Sequence, residues 1–449
     1  MSSWELLPKH IFILSSSGKP IFSREGDEQE LVTTFGLLQA VVSIVEGQDD
    51  KIKCITAGQR RIVYFIRKSL YFIAMSSTGE AEAVLSRQLE FMYNQVLLVL
   101  TNRVHSVLEN DSSKDLRDLL GSDTARLMHA ACTEEITPYC IAFNAVQGFA
   151  LEMEEREKVS TLVGSCVNSS GAALGMLLYE DALIAYEVNE ETPLSLVVDD
   201  VHLLAHFVGN SKSLRTHDQN WVPICLPHFN EGALLQAYVC SIRLCPTSAT
   251  ATGHIDVSVV LISPDPSLFK ELHAERETLE QGLTTTQSRV PEMLLLAQEN
   301  QSRTLAKFLT PSSCLHFLYR GGSGGGSGLS QCFSSKMEFP LDSEEAQGTI
   351  WSQYQRLALC LRVGSSSVES TVGAEEEEGG VSVLSSNPAP DHAQSYAVLA
   401  SGYVVVGITT SESELYATFA ESCGGAIEAC GLANLLNRSL ALESVNLFV

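Results

Sequence analysis

The hydrophobic pattern between Lys9 and Glu46 reads as strand, tight turn, strand, helix. His10-Ile11-Phe12-Ile13-Leu14 is an apolar run with strand character, and Ile21-Phe22-Ser23 is a second, shorter one. Between them, Ser16-Ser17-Gly18-Lys19-Pro20 supplies a glycine that can take positive φ and a proline suited to the start of an edge strand. A helix is expected from Asp27 or Glu28 to Glu46. Leu31, Phe35, Leu38, Val42 and Val45 recur at four- and three-residue spacing on one face, enough to pack the helix on a sheet. Leu37, Val41 and Ile44 repeat that spacing slightly further round. This second stripe asks for another cover, either a further layer of the same domain or another protein.

Three strands follow, at Ile52 to Ala57, Arg61 to Ile66 and Leu70 to Met75, close enough for an antiparallel meander. A helix is expected from Ala81 to Leu108, then short helical pieces at Asp115 to Leu120 and Thr124 to Cys132, and a longer one over 141–163. The opening pattern then returns. Leu174 to Tyr179 and Leu183 to Tyr186 flank a short turn, and a helix covers Val198 to Val208. Trp221-Val222-Pro223-Ile224-Cys225 is a strand whose proline places it at an edge. Leu234 to Arg243 and Ile255 to Ile262 are further strands, closed by a helix over 265–282. The recurrence is an internal structural repeat. A third, fainter pass has a strand at Leu315 to Tyr319, a helix at Glu344 to Arg362, a hairpin at Tyr396 to Ile408, helices over 412–442 and a last strand at Val445 to Phe448. The run Gly321 to Gly328 has linker composition, and the Ser-, Gly- and Glu-rich stretch 363–393 is expected to be disordered.

With 449 residues, 45 % hydrophobic and 18 % charged, the chain can form several well-cored domains. The formal net charge of −25 excludes general nucleic-acid binding, since phosphates are repelled. Up to Gly79 the chain has nine Lys and Arg against eight Asp and Glu, so the acidic excess lies beyond it. Arg60, Arg61, Arg67 and Lys68 are either a basic face for an acidic partner or solvated strand ends. Twelve cysteines without a C-x-x-C pair suit reduced, buried thiols more than zinc or a disulfide framework. No signal peptide and no membrane-spanning run is read, which suits a cytosolic or peripherally attached protein.

Nothing assembles as a catalytic site. Gly18-Lys19 precedes proline and no phosphate-binding loop is present. His202 and His206 stand four apart on a helix but lack the acid of a zinc-protease motif, so no metal site is read. No cofactor is expected. The residues point to surfaces.

Lys9-His10-Ile11-Phe12-Ile13-Leu14-Ser15, with Gly18-Lys19-Pro20-Ile21-Phe22-Ser23-Arg24 and the helix after it, resembles the opening of the Mon subunit family of vacuolar fusion proteins. Trp221-Val222-Pro223-Ile224-Cys225-Leu226-Pro227-His228-Phe229-Asn230 is similar to that family's W-x-P-x-C-L-P-x-F-N, and Leu315 to Tyr319 looks like a third match. The resemblance implies an α+β fold of three longin domains, each a five-stranded antiparallel sheet with flanking helices, at 1–125, 126–285 and 286–449. It implies one subunit of a heteromeric guanine-nucleotide exchange factor for the late-endosomal Rab GTPase, paired with a Ccz-type subunit. Thr34, Leu37, Val41 and Ile44 are then expected at the GTPase or partner-subunit interface. Trp221 is expected either in the core or in a patch that docks the early-endosomal Rab. Recruitment to a peripheral endosomal membrane carrying phosphoinositide is implied too. The family's long polar N-terminal extension is expected to be missing, and the third unit departs through its glycine run and acidic insertion. A longin-type adaptor or tether without exchange activity is the alternative.

Overall fold

The structure, a computed structural model, describes residues 8–24, 26, 28–58, 60–111, 114–132, 142–151, 153–191, 194, 196–215, 218–245, 253–284, 290–292, 294–295, 313–321, 329–335, 337, 339–363, 394–400, 402–410 and 413–442. The chain forms two compact units. One holds residues 1–142, 210–213 and 223–235, and the other 143–209, 214–222 and 236–449.

The first unit is built on β1 (Lys9–Ser15), β2 (Pro20–Ser23), α1 (Glu28–Glu46), β3 (Cys54–Ala57), β4 (Arg60–Arg67) and β5 (Leu70–Ser76). The strands lie in the order β2-β1-β5-β4-β3, every pair antiparallel. Gly18 turns the β1–β2 hairpin at φ +80°, as its sequence demands. α2 (Glu82–Leu100), α3 (Arg103–Asn110) and α4 (Arg117–Cys132) complete the layer. On the face covered by α1, Phe12, Leu14, Tyr64, Tyr71 and Ile73 form the core.

The second unit carries two sheets. After β6 (Val146–Gln147) and α5 (Met153–Ser170) come β7 (Leu174–Tyr179), β8 (Ala182–Val188), α6 (Val198–Asn210), β9 (Asn220–Ile224), β10 (Leu235–Leu244), β11 (Ile255–Ser263) and α8 (Phe269–Thr284), while α7 (Pro227–Asn230), between β9 and β10 in sequence, belongs to the first unit. Their order is β8-β7-β11-β10-β9. The third set is β12 (Cys314–Gly321), β13 (Gln331–Ser334), α9 (Glu344–Val363), β14 (Gln394–Ala400), β15 (Tyr403–Thr409), β16 (Ser413–Ala420) and α10 (Ala426–Leu442). It runs β14-β15-β16-β12-β13, with the two-residue β6 added in parallel at the far edge. In all three sheets the first strand lies between the second and the fifth. The repeat read from the hydrophobic pattern is therefore a repeat of topology.

Several local expectations change. The helix expected over 81–108 is two, because Thr101 takes φ +57° and donates its N–H to the Leu97 carbonyl, ending α2. The two pieces expected before Cys132 are the single helix α4. The helix expected over 141–163 is interrupted: Ala142 and Phe143 are helical, Val146–Gln147 is a strand, and α5 starts at Met153. Ser413–Ala420, expected as helix, is β16. It is central in its sheet, and Leu415, Tyr416, Ala417 and Phe419 are all buried, so neither strand alternation nor a helical stripe shows. β13 is an element the pattern did not announce. The glycine run at 322–328, the disorder expected over 364–393 and the strand expected at Val445 to Phe448 lie outside the described residues.

Candidate functional site

The two stripes of α1 separate cleanly in space. Leu31, Phe35, Leu38 and Val42 are at most 3 % exposed and pack on the sheet, with Phe35 edge-on to Phe12 at 5.5 Å between ring centroids. Burying such side chains contributes about 1.5–3 kcal/mol each, which fixes this face inward. On the other side Leu37 and Ile44 are each 65 % exposed, and Val32 is 60 % exposed. Thr34 and Val41 sit half-buried on the flanks, and Val41 also touches the inner core. Of the four residues expected at an interface, Leu37 and Ile44 thus stand on the free face, and Thr34 and Val41 border it.

The free face is uncharged. From Leu31 to Val45 the helix has no Asp, Glu, Lys or Arg. Gly36 and Ala40 lie exposed between Val32 and Ile44, and a Cβ added at Gly36 would meet nothing within 4 Å. An exposed glycine inside a helix costs about 1 kcal/mol relative to alanine, and no packing among the described residues requires it there. Val32, Gly36 and Ala40 lie on this surface too, although Gly36 and Ala40 were expected only as matches to the family's helix and none of the three at an interface; the absence of charge on the outer face was the signal.

Trp221 is half-buried on β9, the outermost strand of its sheet, beside the exposed Pro223. Its indole meets Phe269 edge-on at 5.7 Å and rests on the core cluster of that sheet. It is neither a full core residue nor a free one. The rest of the motif behaves differently. Cys225 donates its N–H to the Leu98 carbonyl at the end of α2, and the Glu231 carbonyl accepts the Asn102 N–H. Ile224, Cys225, Leu226 and Pro227 are buried, while Phe229 and Leu234 stay 46 % and 45 % exposed. Phe229 was inside the quoted motif, but only the folded strap shows that it faces outward.

Two buried histidines and two buried thiols are built into the packing. His316 lies between the Tyr354 and Ser334 hydroxyls, 3.0 Å from each, and burial pulls its pKa down to about 3. His105 bridges the Ser69 and Tyr93 hydroxyls, and burial, then the Lys68 charge, holds it below the ordinary imidazole range. Both rings are neutral bridges in the packing. Burial pushes the Cys132 and Cys314 thiols up to about 12, far from a reactive thiolate. His202 and His206 are buried in α6, and among the described residues no group of three or more His, Cys, Asp or Glu is placed to hold a metal. No described helix is long and apolar enough to cross a membrane. What the surface of α1 can do is bind by burying apolar area.

Comparison with known families bears on what that surface is for. The family model of the first longin domain of FUZ, MON1 and HPS1 matches residues 9–129, and that of the second longin domain matches residues 171–281. Together they cover just over half of the chain. The chain belongs to the longin-domain family of FUZ, MON1 and HPS1. Within this longin family the relatives described next carry the MON1 name, as the motifs at Lys9 and Trp221 implied. It is 36 % identical over 241 residues to the vacuolar fusion protein MON1 homolog of Oryza sativa subsp. japonica, covering 53 % of this chain and 41 % of that protein. The Arabidopsis thaliana homolog is 29 % identical over 378 residues, 81 % of this chain and 60 % of the relative. Vacuolar fusion protein MON1 of Yarrowia lipolytica is 32 % identical over 317 residues, 70 % and 55 %. This longin-family chain therefore spans about half the length of these relatives. The first family match contains α1 and its exposed face, and the second contains Trp221.

Proposed function

We propose that the chain serves vacuolar fusion as the Mon-type subunit of a heteromeric exchange factor for the late-endosomal Rab GTPase. The observation that carries this is the outward face of α1, apolar, uncharged and uncovered, on the first longin domain of a MON1-type chain. A Rab holds its nucleotide through a phosphate loop, Mg²⁺ and ordered switch loops. An exchange factor has only to bind the nucleotide-free conformation more tightly than the loaded one. Linkage then weakens nucleotide binding by the same factor. This takes complementary surface and no acid–base group.

In this reading Leu37 and Ile44, flanked by Thr34 and Val41, meet the Ccz-type subunit or the GTPase. Trp221 contributes to docking the early-endosomal Rab, which brings the complex to an endosomal membrane carrying phosphoinositide. The test is release of labelled nucleotide from the late-endosomal Rab, with this chain and a Ccz-type subunit together. Acceleration is expected with both subunits present, and its loss in Leu37→Asp and Ile44→Asp at unchanged melting temperature. No acceleration by the pair would leave the chain a trafficking adaptor or tether. Full acceleration by both variants would remove α1 from the mechanism.

A further inference from the structure

A second uncovered apolar face lies on α10, the helix that follows the fifth strand of the third sheet. Ile427 is 73 % exposed, Leu435 62 % and Leu442 85 %. Gly431 and Arg438 lie exposed among them on the same side, with Glu428 at its rim. α8 holds the equivalent position in the second sheet, and its exposed positions are Lys270, Glu271, Ala274, Glu277, Thr278 and Gln281. The fold therefore accepts a charged, solvated outer face here. That α10 has an apolar one is a property of this helix.

The face is complementary to itself. Place two copies of α10 antiparallel across a twofold axis midway between Gly431 and Leu435. Leu435 of each helix then lies over Gly431 of the other, and Glu428 of each lies opposite Arg438 of the other. At a rise of about 1.5 Å per residue the two ion pairs fall roughly 15 Å apart, one on each side of the crossing. A Cβ added at Gly431 would meet nothing within 4 Å among the described residues, so the space above it is open to a leucine from outside. Matching of knob to hole and of acid to base across one axis is what an isologous contact requires. A membrane is the poorer occupant. The face offers a single cation, and the chain's formal charge of −25 is repelled by anionic lipid.

We propose that the outward face of α10 binds a second copy of this chain as an antiparallel helix pair. The contact involves a different helix and sheet from α1, so it stands whether or not the exchange reading does. One helix pair buries less than the ~800 Å² per partner of a standard interface, so the dimer is reversible, with a dissociation constant on the order of 10 µM.

Sedimentation velocity on the full chain tests this, from about 1 to 100 µM in ~0.15 M salt, where the Debye length is about 8 Å and the net charge is screened. A concentration-dependent monomer–dimer equilibrium is expected. Gly431→Leu fills the hole and weakens it tenfold or more. Glu428→Arg and Arg438→Glu each oppose like charges and also weaken it, and the double swap restores it. The changed side chains are exposed, so the charge variants should leave the melting curves in place, and Gly431→Leu, which removes a helical glycine, should shift its curve upward if at all. A chain that stays monomeric overturns the proposal. So does a dimer indifferent to Gly431→Leu, or single swaps that the double swap does not rescue. Binding to phosphoinositide vesicles that is lost in Leu435→Asp would assign the face to lipid and overturn it too.

Discussion

Gln39 donates a side-chain hydrogen bond to the Ser16 carbonyl at 2.9 Å, tying the middle of α1 to the β1–β2 turn. The same amide lies over Gly18, where an added Cβ would fall 2.0 Å from its Oε1. The turn and the helix therefore fix each other, and with them the direction in which Leu37 and Ile44 point. Gly18→Ala must strain a backbone at φ +80° and displace Gln39. It is expected to cost about 2 kcal/mol from strain and the lost bond, and Gln39→Ala about 1 kcal/mol, both read by urea unfolding.

Lys9 and Glu80 form a 2.6 Å ion pair, with side chains 5 % and 12 % exposed. Burial alone would raise the Glu80 pKa, but the Lys9 charge and hydrogen bonds from Lys9, Thr78 and Ser76 outweigh it and hold it below its ordinary 4.5. A depressed carboxylate stabilises the fold above its unfolded pKa. That contribution is lost as pH falls from near 4.5 through the lower folded value. Lys9→Met strands a buried carboxylate and should cost about 3–5 kcal/mol at neutral pH. Adding Glu80→Gln should recover much of it and flatten the acid limb of a stability–pH profile.

The two stripes of α1 make a paired prediction from neighbouring leucines. Leu38 is 3 % exposed and Leu37 65 %. Leu38→Ala should cost about 2–5 kcal/mol, and Leu37→Ala should stay within about 0.5 kcal/mol. Gly36→Ala should raise stability by up to about 1 kcal/mol, since its Cβ enters open space. A loss of exchange in Gly36→Ala, alongside that gain, would mark a partner helix or loop approaching closely there. Full exchange in Gly36→Ala would put the partner elsewhere on the face.

These contrasts were legible in the sequence because the helical period sorts Leu37 from Leu38 without any tertiary knowledge. The same holds for Gly18, where turn chemistry is local. Thr101 was not legible. The run Val96 to Leu108 has no glycine or proline, and the polar Thr101-Asn102-Arg103 within it is also compatible with one turn of a continuing helix. What organises the break comes from far along the chain, where the Cys225 N–H binds the Leu98 carbonyl and the Glu231 carbonyl receives the Asn102 N–H. β16 was missed for a related reason, since a strand buried on both faces shows no alternation. The free face of α10 escaped for another. An apolar residue facing outward looks in sequence like one facing the core, and only the folded helix separates Leu435 from Leu436.

Trp221 is where stability and docking must be told apart. Its ring packs against Phe269 and the core cluster, yet the residue stays partly exposed on the outermost strand of its sheet. Trp221→Ala removes a half-buried side chain and should cost about 2 kcal/mol, less than the ~3–5 kcal/mol of a full core aromatic. Trp221→Phe keeps an aromatic ring against Phe269 and should stay within about 1 kcal/mol. If the open edge docks the early-endosomal Rab, both variants should weaken recruitment to vesicles carrying it by tenfold or more, while exchange in solution stays near normal. An interfacial tryptophan commonly contributes ~2 kcal/mol or more, which is about a thirtyfold change in affinity. Melting, exchange and recruitment are measured on the same preparations, well below the melting temperature of the weaker variant. Wild-type recruitment by Trp221→Phe, with parallel loss of stability, exchange and recruitment in Trp221→Ala, would leave this residue a packing element and send the docking patch elsewhere, with exposed Phe229 and Leu234 the next residues to change.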